Sequence, residues 1–277
     1  NTYKGILYLL FGTLVWGLIW YPYRLLADVG ISGVYSSLLG FSFTLLLGLF
    51  FYKPNKLSNF KHINFWIYAL VQGVTNIAFV LAVIDGELVR VMLLFFLSPV
   101  WTISFSFLFL KEKIFLKNIV AAILSLLGAF IVLWQDGFSL FTLDVSDIYA
   151  IIGGIGFALS NVLARRFNKL SIKDKSYAVW IGVIIIALIS AILFPVEFNS
   201  PSLDFKSIII LILIGLVMLL ATMVVQIGLT LVEAVRASPI FLFEIVVVGI
   251  SGYLLANESL LAKDFIGGVF IILGVLI

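Results

Sequence analysis

Midway through an apolar run, FLFEIVVVG at Phe241–Gly249, stands a single carboxylate, Glu244. An acidic group at the bilayer centre costs on the order of 2.5–3.5 kcal/mol on insertion scales, so such groups face a bundle interior or a water-filled cavity. The nearest charged residues in sequence, Arg236 and Glu258, are too far along a helix to pair with it. Two chemistries stay open. One is a neutral Glu hydrogen-bonded to a neighbouring helix; the other is a proton acceptor, or a counter-charge for a cationic group on a substrate.

Further candidates recur at helical spacing. Trp16, Trp20 and Tyr23 fall at i, i+4 and i+7 on one face, an aromatic wall able to stack planar groups or hold an ammonium, or else part of an interfacial aromatic belt. Gln72, Asn76 and Phe79 repeat the spacing, as do Thr222, Gln226 and Thr230 at i, i+4, i+8. Amides in hydrocarbon need partners, so both faces are predicted to look inward, as a binding surface or as interhelical hydrogen-bonding glue. Ser160 and Asn161 add a polar spot, and Trp101 a further aromatic lining group. Arg90 and Arg236 each follow a Glu by three residues, which predicts local Glu87–Arg90 and Glu233–Arg236 pairs, with gating by Arg90 as the alternative. Arg24 and Arg165 are placed near interfaces, within snorkelling reach. Pro99 and Pro239 lie inside apolar runs, where proline frees a carbonyl and kinks a helix. Substrate contacts are therefore expected among Trp16, Trp20, Tyr23, Gln72, Asn76, Phe79, Trp101, Ser160, Asn161, Gln226 and Glu244, and coupling or gating among Glu244, Arg90, Pro99 and Pro239.

The elements holding these groups must be membrane spans. The 277 residues are 63% hydrophobic and 11% charged, against roughly 45–50% and 25% in soluble domains, and mean hydropathy is +1.25. A span needs about 20 apolar residues. The pattern predicts ten helices near 4–27, 31–52, 63–84, 87–110, 114–134, 147–167, 175–194, 206–230, 233–255 and 260–277, an all-α integral membrane fold. The first is read as a retained helix, since no small-residue cleavage site follows it. Most of the 17 Lys and Arg residues, including Lys53, Lys61, Lys111, Lys113, Lys117, Arg166 and Lys173, fall on one side of these spans. The bias of basic residues toward the cytoplasm then puts both termini inside. The net charge of +3 reflects those loops and not a nucleic-acid surface. Without cysteine and with His62 as the one histidine, neither thiolate chemistry nor a histidine metal cluster can be built. No cofactor is expected.

Shifting the chain by 146 residues superposes Glu87–Ile131 on Glu233–Ile277 without a gap, matching Glu87 with Glu233, Arg90 with Arg236, Glu112 with Glu258, Lys117 with Lys263 and Gly128 with Gly274. A shift of 141 sets WGLIWYPYR (Trp16–Arg24) on FALSNVLAR (Phe157–Arg165). Apolar matches come cheaply in membrane helices; charged ones do not. Each half holds five helices, so the second enters the membrane from the opposite side, the inverted repeat of many secondary transporters. The expected units are 1–135, a linker at 136–146, and 147–277.

The WG of helix 1 (Trp16, Gly17), LSPVWTISFSFLFLKEKI (Leu97–Ile114), Gly128–Val132, and YLLANESL followed by GGVFIILGV resemble the drug/metabolite transporter superfamily, specifically its EamA-type ten-helix carriers. MLLFFLSPVWTISFSFLF is also similar to YddG-type aromatic amino-acid exporters of that superfamily. The resemblance implies a secondary transporter of a bacterial plasma membrane, exporting small amphipathic metabolites, in the first place aromatic or other neutral amino acids. Uptake of an organic cation such as choline is the alternative. A membrane-embedded enzyme is disfavoured because the spans lack His, Cys and paired carboxylates, and a non-transporting scaffold because it needs no central charge. The expected partners are a small-molecule substrate and the lipid bilayer, with a monomer sufficient. The family often has Glu-Pro where this chain has Glu244-Ile245, so the helix 9 kink is expected nearer the cytoplasmic end, at Pro239.

Overall fold

In hydrocarbon every backbone N–H and C=O must be satisfied within the protein, which leaves helices as the solution for a single chain of apolar runs. The computed structural model describes residues 2–31, 33–54, 60–86, 88–134, 144–193, 204–256 and 259–277, and no strand occurs among them. Helices α1 (Thr2–Ala27), α2 (Gly33–Phe51) and α3 (Ile63–Asp85) are followed by a broken span, α4 (Leu88–Phe95) and α5 (Ser98–Phe105), which ends in a π-helical turn, and then by α6 (Leu116–Leu133). The second half runs α7 (Val145–Arg166), α8 (Ile172–Leu193), α9 (Phe205–Leu231), a second broken span α10 (Ala234–Phe241) and α11 (Phe243–Ala256), and α12 (Ala262–Leu276). Nine of these stretches are long and apolar enough to cross a membrane. The tenth predicted span is α12, whose 15 residues reach about 22 Å. Most of the expected linker 136–146, with Glu87 and Glu258, lies outside the described residues.

Local chemistry sets several helix starts. Asp204 accepts from Ser207 N at 2.8 Å and Ser207 Oγ at 2.6 Å, capping α9 and holding its carboxyl below the usual carboxylate range. Asp147 Oδ2 accepts from Asp144 N at the start of α7 (2.8 Å), and Asp264 Oδ2 from Leu261 N at the start of α12 (2.7 Å).

The two halves are related by an inverted repeat, visible in matched contacts. A Cβ on Gly128 would stand 2.5 Å from the Gly267 carbonyl oxygen, and one on Gly274 2.7 Å from that of Ala121. The 146-residue shift converts the first contact into the second. The broken spans match as well: α4 gives way to α5 at Phe96–Leu97, and α10 to α11 at Leu242, the position equivalent to Phe96. Short-range bonds carry each break, Val100 N to Leu97 O (3.0 Å) in one half, Leu242 N to Pro239 O and Ile245 N to Leu242 O (both 3.1 Å) in the other. Pro99 sits in the first turn of α5, where its missing N–H is no loss. Pro239 sits inside α10, with Ser238 Oγ donating to the Val235 carbonyl at 3.1 Å. The expectation of a kink displaced to Pro239 is thus corrected. The second break lies three residues beyond Pro239, in register with the first, although no proline occupies the position equivalent to Pro99.

The face carrying Lys53, Lys61, Lys111, Lys113, Arg166 and Lys173, here termed the basic face, also receives both termini. Near it the bundle buries Phe65, Tyr68, Tyr177 and Trp180 completely. The glycines of α7 serve packing: Cβ atoms on Gly153 and Gly154 would meet Phe95, and one on Gly156 would meet Thr75. At the α3–α8 crossing a Cβ on Gly182 would lie 1.9 Å from the Ala69 carbonyl oxygen. Gly182→Leu should therefore separate α3 from α8 at a cost of about 1–3 kcal/mol or more, read as a lowered Tm of purified protein, whereas Gly249→Ala, with nothing within 4 Å of its Cβ, should leave Tm within about a degree of wild type.

Candidate functional site

Where the breaks of the two halves meet, aromatic rings form a chain. Phe79 of α3 packs on Phe95 of α4 (ring centroids 4.7 Å), Phe95 on Phe157 of α7 (5.5 Å), and Phe157 on Phe241 of α10 (5.0 Å). Trp16 of α1 closes the group, stacked on Phe241 at 5.8 Å and edge-on to Phe157 at 6.1 Å. Four of these residues form repeat pairs. The shift of 141 takes Trp16 to Phe157, and that of 146 takes Phe95 to Phe241. Ring pairs of this kind contribute about 0.5–1.5 kcal/mol each beyond their burial. Phe95, Phe157 and Phe241 were missed among the predicted contacts, although the repeat alignment already pairs aromatic with aromatic at both places.

The predicted aromatic wall does not stay together. Trp16 belongs to the ring chain, Trp20 donates its indole N–H to Ser251 Oγ of α11 at 2.9 Å, and Tyr23 turns to α2, where it hydrogen-bonds Ser37. Ser251 also donates to the Gly17 carbonyl at 3.1 Å, so α1 and α11 lock two turns beyond Glu244. Trp101 is half-buried and joins no ring cluster among the described residues.

Glu244 follows Phe241 by one helical turn, half-buried beside the ring chain. Its backbone oxygen approaches Gly17; among the described residues no side chain pairs with its carboxylate. On the basic-face side the two polar faces meet through Gln72 and Gln226, whereas Thr230, predicted to look inward, is exposed and donates to the Ile227 carbonyl at 2.7 Å. Gln72 and Gln226 both donate to the Tyr68 hydroxyl, at 2.8 and 2.7 Å. Ser160 donates to the Phe157 carbonyl (2.8 Å) and Thr222 to that of Met218 (2.7 Å), within their own helices. Among the predicted substrate contacts, three polar atoms are buried without a partner: Asn76 Oδ1, Asn161 Nδ2 and Gln226 Oε1. Burial is graded, since Tyr68, Ser160, Asn161 and Gln226 are fully enclosed while Trp20, Tyr23, Phe79 and Glu244, toward the opposite face, are half-buried.

An ion pair joins the halves at each face. Arg90 Nε contacts Asp147 Oδ1 at 2.7 Å, with side-chain exposures of 12% and 1%. Arg165 Nε lies 3.0 Å from Glu112 Oε1, in ionic contact but not aligned as a hydrogen bond, and Arg165 also donates to the carbonyls of Leu229 and Val232. Two expectations are corrected: Arg165 is tied inward and does not snorkel, and no Glu233–Arg236 pair forms among the described residues. The close approach of α4 to α7 also brings Arg90 a carboxylate from the other repeat, while its expected partner Glu87 lies outside the described residues.

Two inverted five-helix halves, paired broken spans and a polar and aromatic centre are the architecture of a carrier. The model of the EamA-like transporter family matches the chain twice, over residues 3–134 and 145–277. The chain belongs to the EamA-like transporter family. It is therefore a multi-pass membrane transporter of small molecules, of a family whose members are not enzymes. A crystal structure of another protein superposes on this EamA-like carrier with a TM-score of 0.76, covering 98% of this chain and 96% of that one at 14% identity, which shows the same fold. No curated protein sequence matches.

Removing Arg90 would leave the Asp147 carboxylate buried and unpaired, a loss of about 3–5 kcal/mol. Arg90→Ala should therefore lower Tm strongly. Arg90→Ala combined with Asp147→Asn, which keeps the cap on Asp144 N, should recover much of the loss in a double-mutant cycle of thermal melts.

Proposed function

We propose that this transporter exports small amphipathic metabolites, in the first place aromatic or other neutral amino acids, across a bacterial plasma membrane by alternating access, with both termini cytoplasmic. The observation that carries this reading is the ring chain at the meeting of the two halves, with the carboxylate of Glu244 one turn away. A substrate side chain stacks on rings such as Phe79, Phe95 and Trp16, and its ammonium pairs with Glu244. Asn161 Nδ2 and Asn76 Oδ1, buried without partners, offer a donor to the substrate carboxylate and an acceptor to its ammonium as the halves rearrange. Glu244 doubles as the coupling group, taking a proton when it releases the ammonium. The moving units are 1–135 and 147–277, hinged at the breaks beside Pro99 and Pro239 and latched by Arg90 at the face opposite the basic one. YddG-type specificity is the closest expectation for the substrate.

Uptake of an organic cation such as choline is a second reading, favoured by the absence of any cationic side chain on Glu244 among the described residues. Flux of radiolabelled aromatic amino acids and of choline into proteoliposomes under an imposed pH gradient separates the two. Amino-acid flux responding to the gradient supports the first; choline flux alone supports the second and sinks the first. Glu244→Gln, which keeps shape and removes charge, should cut flux about tenfold or more with Tm near wild type. Normal, pH-responsive flux by this variant would make Glu244 structural. Phe157→Ala, which opens the centre of the ring chain, should reduce flux of aromatic substrates more than that of small neutral ones.

A further inference from the structure

The repeat that pairs Arg90 with Arg236 does not supply both with a carboxylate. Asp147, the partner of Arg90, is equivalent under the 141-residue shift to Ile6. Ile6 is apolar and packs against the main core. Arg236 is consequently half-buried with its Nε enclosed and without a hydrogen-bond partner. Glu233, the nearest acidic residue in sequence, starts α10, is exposed and makes no ion pair with it among the described residues. A guanidinium taken partly out of water without a counter-charge is unfavourable unless an anion comes from elsewhere.

The surroundings suit one. Arg236 lines a narrow cleft on the basic face, shared with Lys117, Asn118, Val235 and Pro239. Lys117 is exposed and free to swing. Asn118 accepts from Phe115 N through its oxygen at 3.1 Å, which leaves its amide N–H groups as donors. The first turns of α6 and α10 both begin here, so two positive helix ends stand beside the two side-chain cations, while Gly274, Val275 and Ile277 at the carbonyl end of α12 form the remaining wall. The enclosed space of the cleft is about 10 Å³, room for one water, so a larger anion would bind across its mouth.

We propose that this cleft between α6, α10 and α12 binds a phosphate-bearing anion, the headgroup of an acidic membrane lipid, through Arg236 and Lys117. Bound there, the lipid supplies the negative charge that Asp147 supplies to Arg90, and it braces the short helix α10 that carries Phe241 and leads to Glu244. Its occupancy is tied to that of the carrier's broken span, independently of which substrate is moved.

The test reconstitutes the full chain in nanodiscs of phosphatidylcholine alone or with phosphatidylglycerol, and separately adds inorganic phosphate to phosphatidylcholine discs. Phosphatidylglycerol should raise Tm by about 3–6 °C. Arg236→Gln and Lys117→Gln should lose most of that shift. Lys263→Gln, the same charge change at the position equivalent to Lys117, should keep it. If inorganic phosphate alone gives a shift that depends on Arg236, the anion site stands and its source is the aqueous phase. A wild-type Tm indifferent to both, or a lipid shift unchanged in Arg236→Gln and Lys117→Gln, overturns the proposal. Should Arg236→Gln fail to fold, Lys117→Gln, altered at an exposed position, decides the question.

Discussion

Hydrocarbon offers no partner to a freed backbone group, so a helix can break in mid-membrane only where the rest of the protein covers the break. This chain breaks two spans, at Phe96–Leu97 and at Leu242, and both breaks come to the place where its halves meet. The break residues Phe96 and Leu242 are buried in one cluster with Ile245, Ala129 and Ile271, against which Phe95 packs. Short-range bonds from Leu242 and Ile245 take up carbonyls that a regular helix would have used otherwise. Each half brings one break and two rings to this shared centre.

From that shared centre the rest is arranged outward. Glycines let α3 approach α7 and α8, and α6 approach α12, closely enough to hold the rings in place. Ion pairs on opposite faces then tie repeat to repeat, Arg90 to Asp147 and Arg165 to Glu112. Both pairs cross between halves, so any rocking of one half against the other strains or releases them. The basic-face side is closed by Tyr68, Gln72 and Gln226, while the side of Trp20, Phe79 and Glu244 is less enclosed. The two sides of the ring chain are thus unequal in a chain whose repeat is nearly symmetric.

The asymmetries fall where function is proposed. Glu244 is equivalent to Ser98, which is buried with its hydroxyl unpaired, so a charge stands in one half where the other has a small polar group. Asn161 is equivalent to Trp20, and Ile6 to Asp147. In each case a shared backbone position receives different chemistry, giving a scaffold related by a two-fold operation a directional interior.

Much of the fold was legible from sequence. Apolar run length fixes the spans, because hydrocarbon thickness sets how many residues a helix needs. Charged matches at a constant shift give the repeat, because charges in such a chain are too few to match by composition. Glu244 stands out for the same reason. Which groups touch was decided by the tertiary structure. Local spacing joined Arg236 to Glu233, but no such pair forms among the described residues, while the approach of α4 to α7 brought Asp147 of the other repeat to Arg90. Helical periodicity put Trp16, Trp20 and Tyr23 on one wall, but three different neighbours divided them among α10, α11 and α2. Periodicity says which side of a helix a residue occupies. It does not say which helix lies on that side, and in a bundle of ten spans that choice builds the site.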